Sequence, residues 1–188
     1  MATLERVLSG NPFEQHRVLR AIFPGDRAQH VEQDTLTDLA KGAADPSGNH
    51  IYMIRDESGE VVGITGFFKP GVGNGPVDTL ALRWHGIAPV YRGRGLSERA
   101  FTAVCEEASR VHPLAERLIE LVPLADPDNA RTLIGYFEKL GFRKDGPARD
   151  ASTFPDAVAL PMESGNWQGM VFELRPRAPV RWLGKGII

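Results

Sequence analysis

Apolar positions recur along the chain with two periods, and glycine and proline mark where one gives way to the other. Asn11-Pro12-Phe13-Glu14 joins an N-cap residue, a proline at the first helical position and an acid in the first turn. It opens a run in which Val18, Leu19 and Ile22 share a helical stripe, stopped by Pro24-Gly25. A second helix is predicted from about Asp34 through Lys41, closed by Gly42 and the turn Asp45-Pro46-Ser47-Gly48. The period then changes. His50–Arg55 and Glu60–Phe68 read as strands of a hairpin turning through Asp56-Glu57-Ser58-Gly59. Beyond a glycine-rich turn from Gly71 to Pro76, Thr79–Ile87 reads as one mostly apolar, buried strand.

Helical spacing returns in Ser97–Val111, where Ala100, Phe101, Val104, Cys105, Ala108 and Val111 fall on one side and His112-Pro113 ends the run. Leu118–Val122 reads as a further buried strand. Asp126–Asn129 starts a helix that runs to Leu140 and stops at Gly141, and Met170–Arg175 is the last expected strand. Helices alternating with short strands predict an α/β fold with a mixed sheet, and the hairpin makes its first part antiparallel. No repeat or low-complexity segment interrupts the 188 residues, which suit a single domain over 1–175 followed by a C-terminal tail, 176–188.

Composition narrows the function classes. With 42% apolar and 24% charged residues the chain is neither disordered nor fibrous. Its longest uncharged stretch, Ser164–Phe172, is far shorter than the ~20 residues of a membrane-spanning helix. Glu5 and Arg6 stand where a signal peptide needs its apolar segment, and Cys105 is the only cysteine, so internal disulfides and cysteine-based zinc sites are excluded and a cytoplasmic location is expected. Lys and Arg number 22 against 24 Asp and Glu, without the basic excess of a nucleic-acid binder. A basic surplus is confined to residues 167–188, with Arg175, Arg177, Arg181 and Lys185, and reads as a solvated tail. His16, His30, His50, His85 and His112 show no ligand spacing, so no metal is expected, and neither is a nucleic-acid or membrane partner.

Candidate chemistry concentrates at Ile87-Ala88-Pro89-Val90-Tyr91-Arg92-Gly93-Arg94-Gly95-Leu96-Ser97, where a strand ends in a glycine-rich turn that opens a helix. Such a junction aims unpaired backbone N–H groups at one point, on the positive end of a helix dipole, and suits an anion. Gly93 and Gly95 let the main chain approach a phosphate and adopt positive φ, while Arg92 and Arg94 can add charge-assisted bonds. A glycine turn that only starts a helix would look the same. A P-loop is absent, because Gly184-Lys185-Gly186 lacks the leading glycine and the hydroxyl. Glu98 replaces the third glycine of a dinucleotide fingerprint, and Arg99 the last glycine of a nucleophile elbow, which makes Ser97 a poor nucleophile.

Arg92-Gly93-Arg94-Gly95-Leu96-Ser97 resembles the acyl-CoA-binding motif [QR]-x-x-G-x-[GA] of the GNAT acetyltransferase superfamily, departing only at Ser97. A second segment, Asn129-Ala130-Arg131-Thr132-Leu133-Ile134-Gly135-Tyr136-Phe137-Glu138-Lys139-Leu140-Gly141-Phe142, resembles the family's N-x-x-A-x-x-[LF]-Y-x-x-x-G-F pattern, departing at Thr132 and Gly135 and carrying one residue more between Tyr136 and Gly141. The likeness is firm over residues 50–145 and looser over the N-terminal helices. It implies the GNAT fold, a mixed and mostly antiparallel central sheet flanked by helices on both faces, and transfer of the acetyl group of acetyl-CoA to an amine. It further implies that the backbone of Gly93, Arg94, Gly95, Leu96 and Ser97 holds the pyrophosphate beside Arg92, and that the main chain at Ile87 and Ala88 pairs with the pantetheine arm. Asn129 would help anchor the cofactor, and Tyr136 would protonate the leaving thiolate. Read from the residues alone, Tyr136 is a half-buried helix aromatic beside Phe137.

A lysine-like amine with a pKa of ~10.4 is mostly protonated at pH 7, and removing that proton costs about 4–5 kcal/mol. A base would help. His85 precedes Ile87 by two residues, which puts both on one strand face unless a bulge intervenes, and a histidine simply packed between strands is the plain alternative. Asp78, near the strand start, is a weaker choice, and no glutamate falls within that strand. The acceptor groove is expected from Phe23–Asp34 and Asp150–Trp167, where Phe154, Met162 and Trp167 could line an apolar site or fold into a small core of their own. The reading is an acetyltransferase acting by direct attack of a small amine. The alternative is a non-catalytic acyl-CoA sensor or assembly module. Trp182, Leu183, Ile187 and Ile188 raise homodimerisation through the C-terminal end.

Overall fold

Alternating side chains and an Asx turn build the hairpin on which the sheet grows. Strands β2 (Asn49–Arg55) and β3 (Val61–Phe68) pair antiparallel. Asp56 shapes their turn: its carboxylate accepts from the N–H groups of Ser58 at 2.9 Å and Glu60 at 3.2 Å. β1 (Thr3–Arg6), which the sequence pattern did not single out, pairs along the outer side of β2. The computed structural model describes residues 3–6, 17, 20–22, 49–70, 78–150 and 165–174. The predicted helix over 34–41, the turn at 71–76, Phe154, Met162 and the C-terminal residues 175–188 lie outside them.

After β3 come β4 (Thr79–Leu82), β5 (Gly86–Ile87), a 3-10 turn (Pro89–Tyr91), α1 (Leu96–Val111), β6 (Arg117–Pro123), α2 (Pro127–Lys139), β7 (Arg143–Lys144), β8 (Arg149–Asp150) and β9 (Asn166–Glu173). The sheet runs β1-β2-β3-β4-β6-β9-β7, with β5 on β3 and β8 on β9. Among the described strands only β4 and β6 are parallel; the other pairs are antiparallel. The mixed, mostly antiparallel sheet is therefore as expected. Asp126 caps α2, its carboxylate accepting from the N–H groups of Asp128 and Asn129 at 3.1 Å each, and Gly141 ends the helix region at φ +95°.

Helices α1 and α2 cover one face of the sheet. Phe101, Val104 and Ala108 of α1 and Ala130 and Phe137 of α2 pack on Phe67, Leu80, Leu82, Leu118, Val122 and Met170. On the other face Ile22, from backbone that is helical at residues 17 and 20–22, packs with Ile51, Met53, Val61, Ile64 and Ala88.

The single strand predicted over Thr79–Ile87 is in fact two. Phe67 faces Leu82 and Phe68 faces Ala81, whereas Gly63 faces Ile87 and Ile64 faces Gly86. The pairing is offset by one residue between these segments, so Arg83, Trp84 and His85 bulge opposite Thr65 and Gly66, and Trp84 takes φ +51°. The cause lies in β3. A Cβ on Gly63 would stand 2.4 Å from the Gly86 carbonyl oxygen and 2.8 Å from Ile87 Cδ1, so β5 can lie this close only because residue 63 has no side chain. On the opposite side the β4–β6 ladder spans only Thr79–Ala81 against Arg117–Ile119, after which β5 follows β3 and β6 follows β9. The sheet opens into a notch there.

Gly63→Ala is expected to destabilise the fold by about 1–3 kcal/mol through forced displacement of β5. Gly135→Ala, in the middle of α2 with open space around its Cβ, is expected to stabilise by about 0.5–1 kcal/mol. Urea denaturation of the two variants beside the parent checks both the size and the opposite signs.

Candidate active site

The notch is edged by Ile87. Ala88 donates its N–H to the Val62 carbonyl at 2.9 Å, which by the alternation of an antiparallel ladder turns the Ile87 N–H and C=O away from β3 and toward the opening. Arg92 Nε reaches back to the Ile87 carbonyl at 3.0 Å, tying the strand end to the turn that follows. Of the two residues expected to offer main chain to a ligand, Ile87 faces the notch, while the Ala88 N–H is already used within the sheet.

The turn leads directly into α1. Gly93 and Gly95 take φ values of +77° and +65°, as their place in the motif anticipates. Gly95 is the N-cap of α1 and no side chain caps the helix, so its first N–H groups are left for a ligand. A Cβ on Gly93 would meet nothing within 4 Å, and one on Gly95 only Arg99 Nη1 at 3.9 Å, so the outer surface of the turn is open enough for a phosphate. Arg94 lies over the Tyr91 ring at 5.6 Å, and its carbonyl accepts from Arg99 Nη2 at 3.1 Å. Arg99, one helical turn into α1, thus braces the loop, a contact that sequence spacing did not point out. Leu96 is buried with Ile54, Val62, Ile87 and Ala100 and anchors the helix start against β5.

Four side chains from four elements meet at the base of this helix. Thr65 Oγ1 on β3 lies 2.8 Å from His85 Nδ1 in the bulge, and His85 Nε2 lies 3.1 Å from Ser97 Oγ on α1. Ser97 Oγ in turn hydrogen-bonds the Tyr136 hydroxyl on α2. The His85 ring stacks on Tyr136 with centroids 6.2 Å apart and meets Phe101 edge-on at 6.0 Å. His85, at the end of the bulge, and Ile87 both face α1, through Ser97 and Leu96 respectively. Burial, opposed by a hydrogen bond with the Ser97 main chain, pushes the His85 pKa down to about 4, so the ring is neutral at ordinary pH. Burial also raises the Tyr136 phenol, against the hydrogen bond to Ser97 that lowers it. The Ser97 hydroxyl is thus turned toward Tyr136 and His85.

Glu120 joins this group from β6. It stands between Leu118 and Val122, both buried under α1 and α2, and the period of two puts it on the same face. Burial raises its carboxyl to about 8, against the Leu121 N–H and the charge of Arg83, and its own charge acts on Tyr136. The sequence carried a signal for it, a lone acid on the apolar face of a buried strand. Only the parallel register of β6 with β4 shows that this face adjoins the notch.

The remaining candidates fall elsewhere. Asp78 sits before β4, at its other end, where its carboxylate pairs with Arg117 at 3.4 Å. Asn129 is in the first turn of α2, half-buried, with its N–H taken by Asp126. Cys105 packs beside the helix-covered core, its thiol pushed up to about 12 by burial. Trp167 lies in β9, opposite Pro123 and Arg149. No described helix is long and apolar enough to cross a membrane.

A family model described as the acetyltransferase (GNAT) family matches residues 15–142. No curated protein matches the sequence. Among solved structures, a GNAT-family protein from Desulfovibrio desulfuricans superposes with a TM-score of 0.67 at 16% identity, over 93% of this chain and 100% of that one. A spermidine N-acetyltransferase from Vibrio cholerae, solved with CoA and spermine, gives 0.60 at 13% identity over 92% and 95%. A GNAT family acetyltransferase from Elizabethkingia anophelis with acetyl-CoA bound gives 0.56 at 13% over 92% and 97%. These structural likenesses carry the fold, and the family model spans about two thirds of the sequence, so the chain belongs to the GNAT acetyltransferase family.

Proposed function

We propose that the protein transfers the acetyl group of acetyl-CoA to a small amine by direct attack, with Tyr136 as the acid. The observation that carries this reading is the meeting of the Tyr136 hydroxyl with the uncapped start of α1, next to the open edge of β5. It is supported by the relatives, two of which were solved with CoA or acetyl-CoA, one of them a spermidine N-acetyltransferase.

The residues present fit such a donor. The backbone from Gly93 to Ser97 would take the pyrophosphate, with Arg92 and Arg94 adding positive charge, and the outward main chain of Ile87 would run beside the pantetheine arm. Asn129, near the start of α2, would anchor it from the other side of the notch. Acetyl-CoA supplies a thioester carbonyl open to attack by nitrogen. Tyr136, its phenol kept protonated by burial, gives a proton to the sulfur as the C–S bond breaks.

The base needs a free lone pair near the reacting nitrogen. His85, the first choice from strand geometry, has both ring nitrogens in hydrogen bonds and a pKa lowered to about 4, which suits holding a proton pattern better than taking a new proton. Glu120 is better matched. Its carboxyl near 8 lies between neutral pH and the amine, where proton transfer is efficient. In this reading Glu120 takes the amine proton, directly or through water, and His85 supports Tyr136.

Isothermal titration calorimetry is expected to show acetyl-CoA binding by the parent and none by Gly95→Glu, which places bulk and negative charge at the turn and a side chain at φ +65°. No binding by the folded parent would overturn the reading. Binding without turnover across a broad amine panel would replace catalysis with a binding module.

Tyr136→Phe and Glu120→Gln are each expected to lower kcat by about 10²–10⁴-fold, with little change in acetyl-CoA affinity. Glu120 must be ionised to accept a proton, so activity should rise with pH through about 8. Glu120→Gln should remove that step from the pH profile of kcat; an unchanged profile would reject Glu120 as the base.

A further inference from the structure

Ser97 occupies the position where the family pattern has glycine or alanine, and its hydroxyl is committed on two sides. The direction of the protons in this chain follows from its inner end. Thr65 is fully buried, and among the described residues its hydroxyl bonds only His85 Nδ1. A hydroxyl proton sealed from water has to be donated, and Nδ1 is the acceptor it faces. The neutral His85 ring therefore carries its single proton on Nε2 and donates it to Ser97 Oγ. Ser97, with that lone pair used, has its own proton left for the other oxygen it touches, that of Tyr136. The Tyr136 proton then lies outside the chain, free to point at the notch.

We propose that Ser97 is a positioning residue, held by His85 and Thr65, which donates a hydrogen bond to the Tyr136 oxygen and thereby aims the phenol proton at the departing sulfur. The role rests on the acetyl transfer proposed above. As the C–S bond breaks, the sulfur takes the Tyr136 proton and the tyrosine oxygen becomes anionic. The bond from Ser97 then becomes charge-assisted and stronger than in the resting state, so it favours the transition state over the ground state. The attacking nitrogen, already relieved of its ammonium proton by Glu120, loses a second proton as the adduct collapses; that proton restores the phenol, and the one held by Glu120 passes to solvent, one per turnover. Alanine at position 97 would fit the turn but remove the hydroxyl that His85 Nε2 faces.

The charges that act on Tyr136 are Glu120 from β6, Glu98 from α1 and Arg92 from the turn, and Ser97→Ala alters none of them. His85 stays neutral above about pH 4. A change in Tyr136 ionisation on this substitution therefore reports the hydrogen bond itself.

The test replaces tyrosine with 3-fluorotyrosine, follows the ¹⁹F titration in the ligand-free protein, and assigns the signal with Tyr136→Phe. Tyr136 is expected to ionise about one pH unit higher in Ser97→Ala than in the parent, with Ser97→Thr returning toward the parent value. The ¹⁵N spectrum of His85 should show the Nε2–H tautomer at neutral pH. In turnover, Ser97→Ala should lower kcat about tenfold, leave the KM for acetyl-CoA nearly unchanged and move the alkaline limb upward. Identical Tyr136 titrations, or an Nδ1–H tautomer, would overturn the proposal even in an active acetyltransferase. A shifted titration with no acetylation of any amine would uphold the hydrogen-bond direction and overturn the catalytic reading alone.

Discussion

The site depends on one extra residue in a strand. Between Leu82 and Gly86 the chain spends three residues where β3 spends two, and the offset is held by the close approach of the Gly86 carbonyl to a glycine, Gly63. Without it β4 and β5 would be one straight strand, and β6 could pair along it without interruption. The bulge turns β5 toward β3, ends the parallel ladder after three residue pairs and leaves the Ile87 main chain outside the ladder, its carbonyl met only by Arg92. It also returns His85 to the α1 face, where an unbulged count from Leu82 would have put it on the opposite side. Gly86 shares in this constraint, since a Cβ there would come 2.7 Å from Ile22 Cγ2, the side chain through which the N-terminal helical segment rests on the other face.

Much of the fold was legible because its signals are local. The hairpin, α1 and α2 are specified by alternation, by helical spacing and by turn and cap residues within a few positions of one another, as with Asp56 and Asp126. The bulge was not, because it is imposed by Gly63, some twenty residues away in sequence, and residues 79–87 alone read as continuous strand. β1, β7 and β8 were missed for a related reason: at two to four residues each they have too little pattern to stand out from loop. The site divides in the same way. The turn glycines, Arg92 and Tyr136 stand in local motifs, whereas Thr65 and Glu120 matter through registers that only the assembled sheet displays. Ser97 was visible only as a departure from pattern, and the structure gives that departure a partner on either side.

Burial, more than any ion pair, sets the protonation of the reacting end. It lowers His85 and raises Glu120 and Tyr136, so each is biased toward its uncharged form. The positive charge is placed elsewhere, on Arg92, Arg94 and Arg99 around the turn, where an anionic donor would be held by its phosphates. Separation of the two regions has a chemical consequence. A charged base beside the thioester would be strongly solvated and would hold an ammonium as an ion pair, delaying loss of its proton. A carboxyl already near 8 has a proton affinity closer to that of the amine it would deprotonate in the proposed reaction. In the proposed transfer the acid side would obey the same logic in reverse: a phenol raised by burial would keep its proton until the sulfur becomes anionic, and a hydrogen bond from Ser97 would matter most at that moment. The bulged strand and the two helices above it therefore act together, one opening the notch and the others burying its inner wall, which is what the proposed exchange of protons between neutral acids and bases requires.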